Sequence, residues 1–251
     1  MLRHITEDLY QIGECVAGEN GHEAVRVYVL LNNGRPILID CGSHLHRAKL
    51  MAELEGLLAG AVPEAIFLTH SELPHSGNLQ MVAQKWPEIR VWVSNVLLPY
   101  IELAPVLPLG QITAVVPGTV FEFGERRLEF VDALLKDQPG SQWLYDSLTK
   151  TLFTGDGFGY YHTPEQCELF SDEMAGGITV AQLRPYHHNA FRFLRWVIPE
   201  RLNADMTRMF HKRDVRIIAP IHGNAIRDVA VVVDRLQTAV HEICAPYRKG
   251  D

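Results

Sequence analysis

Apolar and polar positions fall into short strand-like runs over the first 43 residues, and strand and helix patterns alternate after that. One strand is predicted over 8–12. Two more, over 25–31 and 36–40, flank Asn32-Asn33-Gly34, a strong hairpin signal. Leu50, Met51, Leu54, Leu57 and Leu58 share one face of a helix predicted over 46–58 and closed by Gly60. A short buried strand over 65–69 then turns into a second helix over 77–86, followed by a strand over 90–93 and a helix over 95–103. The stretch 111–153 is β-rich, with strands at 112–116, 120–123, 127–131, 142–145 and 151–153. The last third reads as helical except for a strand at 215–219, which feeds His222-Gly223-Asn224 and a final helix over 226–241. Each half has a buried strand that ends on a histidine and then opens a helix, at Thr69-His70 and at Ile221-His222. That repetition predicts a layered α/β protein whose functional edge lies where these strand ends meet.

Composition narrows the partners. No repeat, low-complexity tract or long linker divides the 251 residues, so one domain over 1–251 is expected. With 47% hydrophobic and 21% charged residues the chain can build a full core. Its 23 basic residues against 30 acidic ones give a net charge of −7 with no basic run, which argues against nucleic-acid binding. No apolar run reaches the roughly 18–20 residues of a membrane span. The start, Met1-Leu2-Arg3-His4, lacks the apolar stretch of a signal peptide, so no membrane association and a cytoplasmic location are expected. Cys15, Cys41, Cys167 and Cys244 lie far apart without a CxxC and read as scattered reduced thiols.

The 12 histidines are more informative. His70, Glu72 and His75 lie within six residues after a strand, in Thr69-His70-Ser71-Glu72-Leu73-Pro74-His75. Imidazoles and a carboxylate so placed suit zinc, iron or manganese. In Leu152-Phe153-Thr154-Gly155-Asp156-Gly157-Phe158-Gly159 an apolar strand runs into an aspartate between glycines, whose two oxygens can serve two cations. In Pro220-Ile221-His222-Gly223 a histidine caps a buried strand. Each segment alone is equally explained by capping and turn chemistry; their order is the stronger signal. His162, Tyr160, Tyr186 and His187 are candidates to line such a site, although surface or capping roles for the histidines are the more ordinary explanation. His4, His22, His44, His46, His211 and His241 show no ligand partners and read as solvated.

The order strand-His70-x-Glu72-x-x-His75, then Leu-Phe-x-Gly-Asp156, then Pro-x-His222-Gly resembles the metallo-β-lactamase superfamily over nearly the whole chain. Glu72 and the run Asp156-Gly157-Phe158-Gly159-Tyr160-Tyr161-His162 look like its flavodiiron branch of O₂ and NO reductases and stand-alone oxygen-binding di-iron proteins. The resemblance implies a four-layer αβ/βα sandwich with two metals at one edge. It implies one ion on His70, Glu72, the position at 137 and Asp156, and a second on the position at 74, His75, Asp156 and His222. Two positions depart from the pattern. Asp137 stands where the family has a histidine, and Pro74 stands where it has an aspartate. The altered set of three imidazoles, His70, His75 and His222, with Glu72, Asp137 and Asp156 favours iron, with manganese or zinc as alternatives.

The resemblance therefore implies a non-haem di-iron protein that binds or reduces O₂ or NO. No flavin or NAD motif and no appended flavodoxin domain are found, so electrons are expected from a separate flavoprotein or iron–sulfur protein. The alternatives are a metal-dependent hydrolase of an ester, thioester or phosphoester, and an oxygen sensor without turnover. Whether the chain is an enzyme, and whether it forms a homodimer, stay open at this point.

Overall fold

A computed structural model of the protein describes residues 2–100 and 107–248. Two sheets lie face to face. The first holds β1 (Arg3–Thr6), β2 (Leu9–Gly18), β3 (Gly21–Leu30), β4 (Ile37–Ile39), β5 (Ala65–Leu68), β6 (Arg90–Ser94) and β7 (Ile112–Val115), in chain order. Its first four strands pair antiparallel and the last four parallel. The second sheet has the order β12 (Ile217–Pro220), β11 (Thr151–Gly155), β10 (Gln142–Asp146), β9 (Arg126–Asp132), β8 (Val120–Phe123), antiparallel except for β11 with β12. The helices are α1 (Arg47–Leu58), α2 (Leu73–Ser76), α3 (Leu79–Lys85), α4 (Val180–Ala190), α5 (Pro199–His211) and α6 (Val229–Cys244).

The period-2 pattern sorts side chains into layers. On β3, Tyr28 and Leu30 face the second sheet, while Val27 and Val29 face Leu50 and Leu54 of α1 and Val82 of α3. On the second sheet Leu144 and Phe153 face inward, and Trp143 and Leu152 meet Leu183 of α4, Met206 of α5 and Leu236 of α6. Helices thus cover both outer faces, giving the αβ/βα sandwich that the motif order implied. Among the described residues no helix is long and apolar enough to cross a membrane.

Several elements differ from expectation for identifiable reasons. The helix expected over 77–86 forms as α3, and the separate one-turn α2 before it was not foreseen. Gly77 packs so closely on Gly42 and His44 that a Cβ would meet backbone atoms at 2.8–3.1 Å, and Asn78 turns its amide inward to the carbonyls of Cys41, Gly42 and Ser43. The last helix starts at Val229 rather than 226 because Ile226 instead exchanges two backbone hydrogen bonds with Ile218 of β12. β1 was not foreseen, and β2 and β3 run on past the expected 8–12 and 25–31 into a two-residue turn at Glu19-Asn20. Of the helix expected over 95–103, residues 98–100 form a single 3-10 turn, and 101–106 lie outside the described residues.

Four strand ends place the chemistry. β4 delivers Asp40, β5 Thr69 and His70, β11 Asp156, and β12 His222. Cross-sheet hydrogen bonds hold these ends together. Gln142 N–H donates to the Thr69 carbonyl at 3.0 Å, Arg26 N–H to the Ile221 carbonyl at 2.9 Å, and the Tyr28 hydroxyl to the Pro220 carbonyl at 2.6 Å.

Candidate metal centre

Asp40 closes an apolar strand with φ of 59°, an uncommon backbone state for a non-glycine residue. Its fully buried carboxylate accepts the Thr69 backbone N–H and hydroxyl, both at 2.7 Å, and sits 2.9 Å from His75 Nδ1. His75 therefore offers its Nε2 outward. That atom lies 2.9 Å from Asp156 Oδ1. His222 repeats the arrangement, with Glu23 at Nδ1 and Nε2 lying 3.4 Å from the same Asp156 oxygen.

His70 Nε2 points into the space between Asp137 Oδ2, at 3.2 Å, and Asp156 Oδ1, at 3.6 Å. Asp137 is anchored through its other oxygen, which accepts the Ser141 hydroxyl at 3.0 Å. Glu72 comes from the exposed rim and accepts the Gln138 side-chain amide at 2.6 Å. His70, Glu72, Asp137 and Asp156 can bring one ligand atom each within 4.8 Å of one another, and so can His70, His75 and Asp156. All six residues expected from the sequence thus converge on one cluster, and Pro74 lines its cleft without a donor atom.

The facing atoms fit a cation. His70 Nε2, His75 Nε2, Asp137 Oδ2 and Asp156 Oδ1 are buried, and none makes a hydrogen bond of acceptable geometry despite the short separations. Buried polar atoms without partners are rare in folded proteins and call for a ligand, an ion or ordered water. Here the atoms are imidazole nitrogens and carboxylate oxygens aimed at common points.

Charge tells the same story. Burial opposes a proton on His75, but Asp40 and Asp156 outweigh it and raise its pKa to about 10. Burial likewise opposes charge on His222, and Asp156 and Glu23 overcome it. Burial, helped by the charge of His75, lowers His70 to about 4, so that ring is neutral. Asp156 is held well below the usual carboxylate range, since His222, His75 and His70 outweigh its burial. Asp137 is pushed up by burial and by Asp156. Protons on the imidazoles of His75 and His222 balance the carboxylates, a role that divalent cations can take.

The residues proposed to line the site differ in their positions. Tyr186 reaches the cleft, its ring 5.8 Å from that of His222, and burial followed by Asp156 and Glu23 keeps its phenol protonated. It lies so close to Gly159 that a Cβ there would sit 2.3 Å from its ring. His187 is one layer deeper. Its Nδ1 donates to the Leu183 carbonyl at 2.8 Å, and its Nε2 accepts the Phe158 N–H at 3.3 Å. Phe158 itself has φ of 68° beside Asp156. Tyr160 is buried under the His222 loop, where its hydroxyl accepts the Asn224 N–H at 3.0 Å. His162 points elsewhere, toward Cys15.

Two sequence expectations need correction. Cys15 and Cys167 are not scattered thiols but a disulfide across 152 residues; Cys41 and Cys244 are free and buried. His22 is not simply solvated, because its Nδ1 lies 3.2 Å from Cys167 Sγ. Asp40, Thr69, Glu23 and Gln138, which support the cluster, were missed. The buried Asp40 at the end of an apolar strand was a readable signal, whereas Glu23 and Gln138 carry none in the sequence.

With this geometry in place, the comparisons with known proteins are specific. The family described as ODP family beta lactamase matches residues 24–223. The anaerobic nitric oxide reductase flavorubredoxin of Vibrio vulnificus is 25% identical over 200 residues, covering 79% of this chain and 40% of its own length. The chain thus spans about two fifths of that curated relative. Among solved structures, a flavo di-iron protein from Thermotoga maritima superposes with a TM-score of 0.79 at 16% identity, over 96% of this chain and 62% of its own. The rubredoxin oxygen:oxidoreductase of Desulfovibrio gigas does so with a TM-score of 0.76 at 17% identity, over 98% and 61%. These low-identity superpositions speak to the fold.

Proposed function

The chain belongs to the ODP family of β-lactamase-fold proteins, and from that premise we propose that it binds or reduces O₂ or NO at a pair of iron ions. The observation that carries this reading is the convergence of unpartnered imidazole nitrogens and carboxylate oxygens on Asp156. His70, Glu72, Asp137 and Asp156 would hold one ion, and His75, His222 and Asp156 the other. Two imidazoles and one carboxylate with no donor from Pro74 is the ligand set of iron sites that keep open positions. Such a pair supplies electrons to a bound diatomic molecule.

The chain's own groups do the rest. Asp40 holds His75 by a hydrogen bond at Nδ1, and the Glu23 carboxylate lies against the Nδ1 of His222, which leaves both Nε2 atoms facing Asp156. Tyr186, kept as a neutral phenol at the cleft, can hold a proton near the reacting molecule. Electrons would come from a separate flavoprotein or iron–sulfur protein; the Desulfovibrio gigas relative is named a rubredoxin oxygen:oxidoreductase.

The test is metal analysis of protein purified without chelator, together with O₂ and NO uptake in the presence of a reduced donor. The expected result is an iron pair per chain and uptake of at least one gas. Zinc-loaded protein that turns over esters and takes up neither gas would replace this reading with a hydrolase. Stoichiometric O₂ binding without sustained uptake would make it a sensor.

A further inference from the structure

On the flank of the sandwich, away from the carboxylate cluster, four side chains from separate segments face one another. Cys15 on β2 and His22 on β3 share one face of the hairpin, since Cys15 pairs with Ala24 and His22 with Ala17. His162 is pinned beside His22 by two backbone hydrogen bonds, of 2.8 and 2.9 Å. The Cys167 carbonyl is held by Arg26 at 2.7 Å and by Asn224 at 2.9 Å. His22 Nδ1 lies 3.6 Å from Cys15 Sγ and 3.2 Å from Cys167 Sγ, and His162 Nε2 lies 3.0 Å from Cys15 Sγ.

We propose that Cys15, Cys167, His22 and His162 form a second metal site, which takes one tetrahedral thiophilic cation such as zinc when the cysteines are reduced and is shut when they are joined. A disulfide that serves only as a staple needs no imidazoles, yet two imidazoles converge on these sulfurs. In a tetrahedral site with metal–sulfur bonds of about 2.3 Å and metal–nitrogen bonds of about 2.0 Å, sulfur and nitrogen sit about 3.5 Å apart. The observed sulfur–nitrogen separations of 3.0–3.6 Å lie near that value. Cys15, His22 and Cys167 form the compact part of the group, and His162 reaches it through Cys15. Opening the disulfide lets the sulfurs move apart around an ion. Cys15, His22 and Cys167 are half-buried, which leaves a path for an ion.

The redox step balances with an external thiol of the glutathione type. Two such thiols give up two electrons and two protons and become a disulfide, while the Cys15–Cys167 bond opens to two thiols. Binding of the dication then releases those two protons as both sulfurs ligate as thiolates.

The experiment uses the whole protein, titrated with cobalt(II) in its oxidised form and after phosphine reduction. A thiolate-to-cobalt charge-transfer band is expected only in the reduced protein, and zinc should displace it. The carboxylate cluster cannot produce that band. Cys41 and Cys244 are buried, and burial pushes both thiols up. Cys15→Ser combined with Cys167→Ser should abolish the band, and His162→Ala should weaken zinc binding by about tenfold or more. No band in the reduced wild type would overturn the site. So would a band whose zinc affinity is unchanged by His162→Ala and by His22→Ala, because a bare dithiol would then suffice.

Discussion

The two clusters draw on the same residue types and reach opposite electrostatic solutions. Around Asp156 the carboxylates outnumber the imidazoles. Asp40, Asp137, Glu72 and Glu23 surround His70, His75 and His222, and without a cation the facing atoms have no hydrogen bonds. The cysteine–histidine cluster has no carboxylate among its four facing groups and can satisfy itself by joining its sulfurs. Hard oxygen donors in a buried pocket favour iron or manganese, and thiolate with imidazole favours zinc. The two are also neighbours along the chain. Adjacent residues on β3, His22 and Glu23, serve one cluster each, and Asn224, two residues after His222, holds the Cys167 carbonyl.

The largest break in that contrast is expected from Asp156→Ala. Its carboxylate is the group that His70, His75 and His222 all approach, so metal content at the first cluster and any gas uptake should fall to background. The cobalt–thiolate band of the second cluster should be unchanged. Loss of both signals would mean that the clusters are one folding unit rather than two sites.

Reduction of Cys15–Cys167 comes next. The bond spans 152 residues, for which chain entropy gives a ceiling of about 5 kcal/mol, and the loss usually measured is about 2–4 kcal/mol. Denaturant titration of oxidised and reduced protein reads this directly. Zinc at roughly a hundred times its dissociation constant for the second cluster should return about 2.7 kcal/mol to the reduced form beyond whatever it adds to both forms through the first cluster.

How much of this was legible depends on which interactions are local. His70, Asp156 and His222 stand at strand ends, and Glu72 and His75 follow in the next turn, where an apolar run followed by polar residues is visible in the chain itself. The layered α/β class was legible from the alternation of strand and helix patterns, but not which face each residue takes. The run 27–31 is apolar throughout, and only the structure sends Val27 and Val29 one way and Tyr28 and Leu30 the other. Cys15 and Cys167 were not legible, because their pairing depends on how the β2–β3 hairpin meets the segment after β11. The one-turn α2 ahead of α3 was hidden too. Gly77 and Asn78 separate the two through contacts with residues 41–44, and nothing in their own neighbourhood announces it.

Acid should loosen the floor of the first cluster. Burial lowers His187 to about 4, against about 6.5 in an unfolded chain. Between pH 6.5 and 4 the unfolded state therefore binds the proton and the native state does not, so stability falls as pH drops through that window and levels off below it. The ceiling for this one group is about 3 kcal/mol. The measurement is chemical denaturation at pH 7, 5.5 and 4, comparing wild type with His187→Gln, which should show a shallower slope.

The smallest expected effect separates the two carboxylates that orient imidazoles. Asp40→Asn removes the charge behind His75 but keeps a side chain of the same shape that can still accept from Thr69, so the strand end should survive. Metal affinity at the first cluster should drop by about 10- to 100-fold, as when such partners are lost elsewhere. Glu23→Gln should cost less. Glu23 is 31% exposed where Asp40 is fully buried, and water can replace part of what it gives His222. Competition against a chelator of known affinity measures both. If Glu23→Gln proved the more damaging, His222 rather than His75 would be the ligand whose orientation limits binding, and the hairpin strand shared by the two clusters would matter more to metal binding than the buried aspartate does.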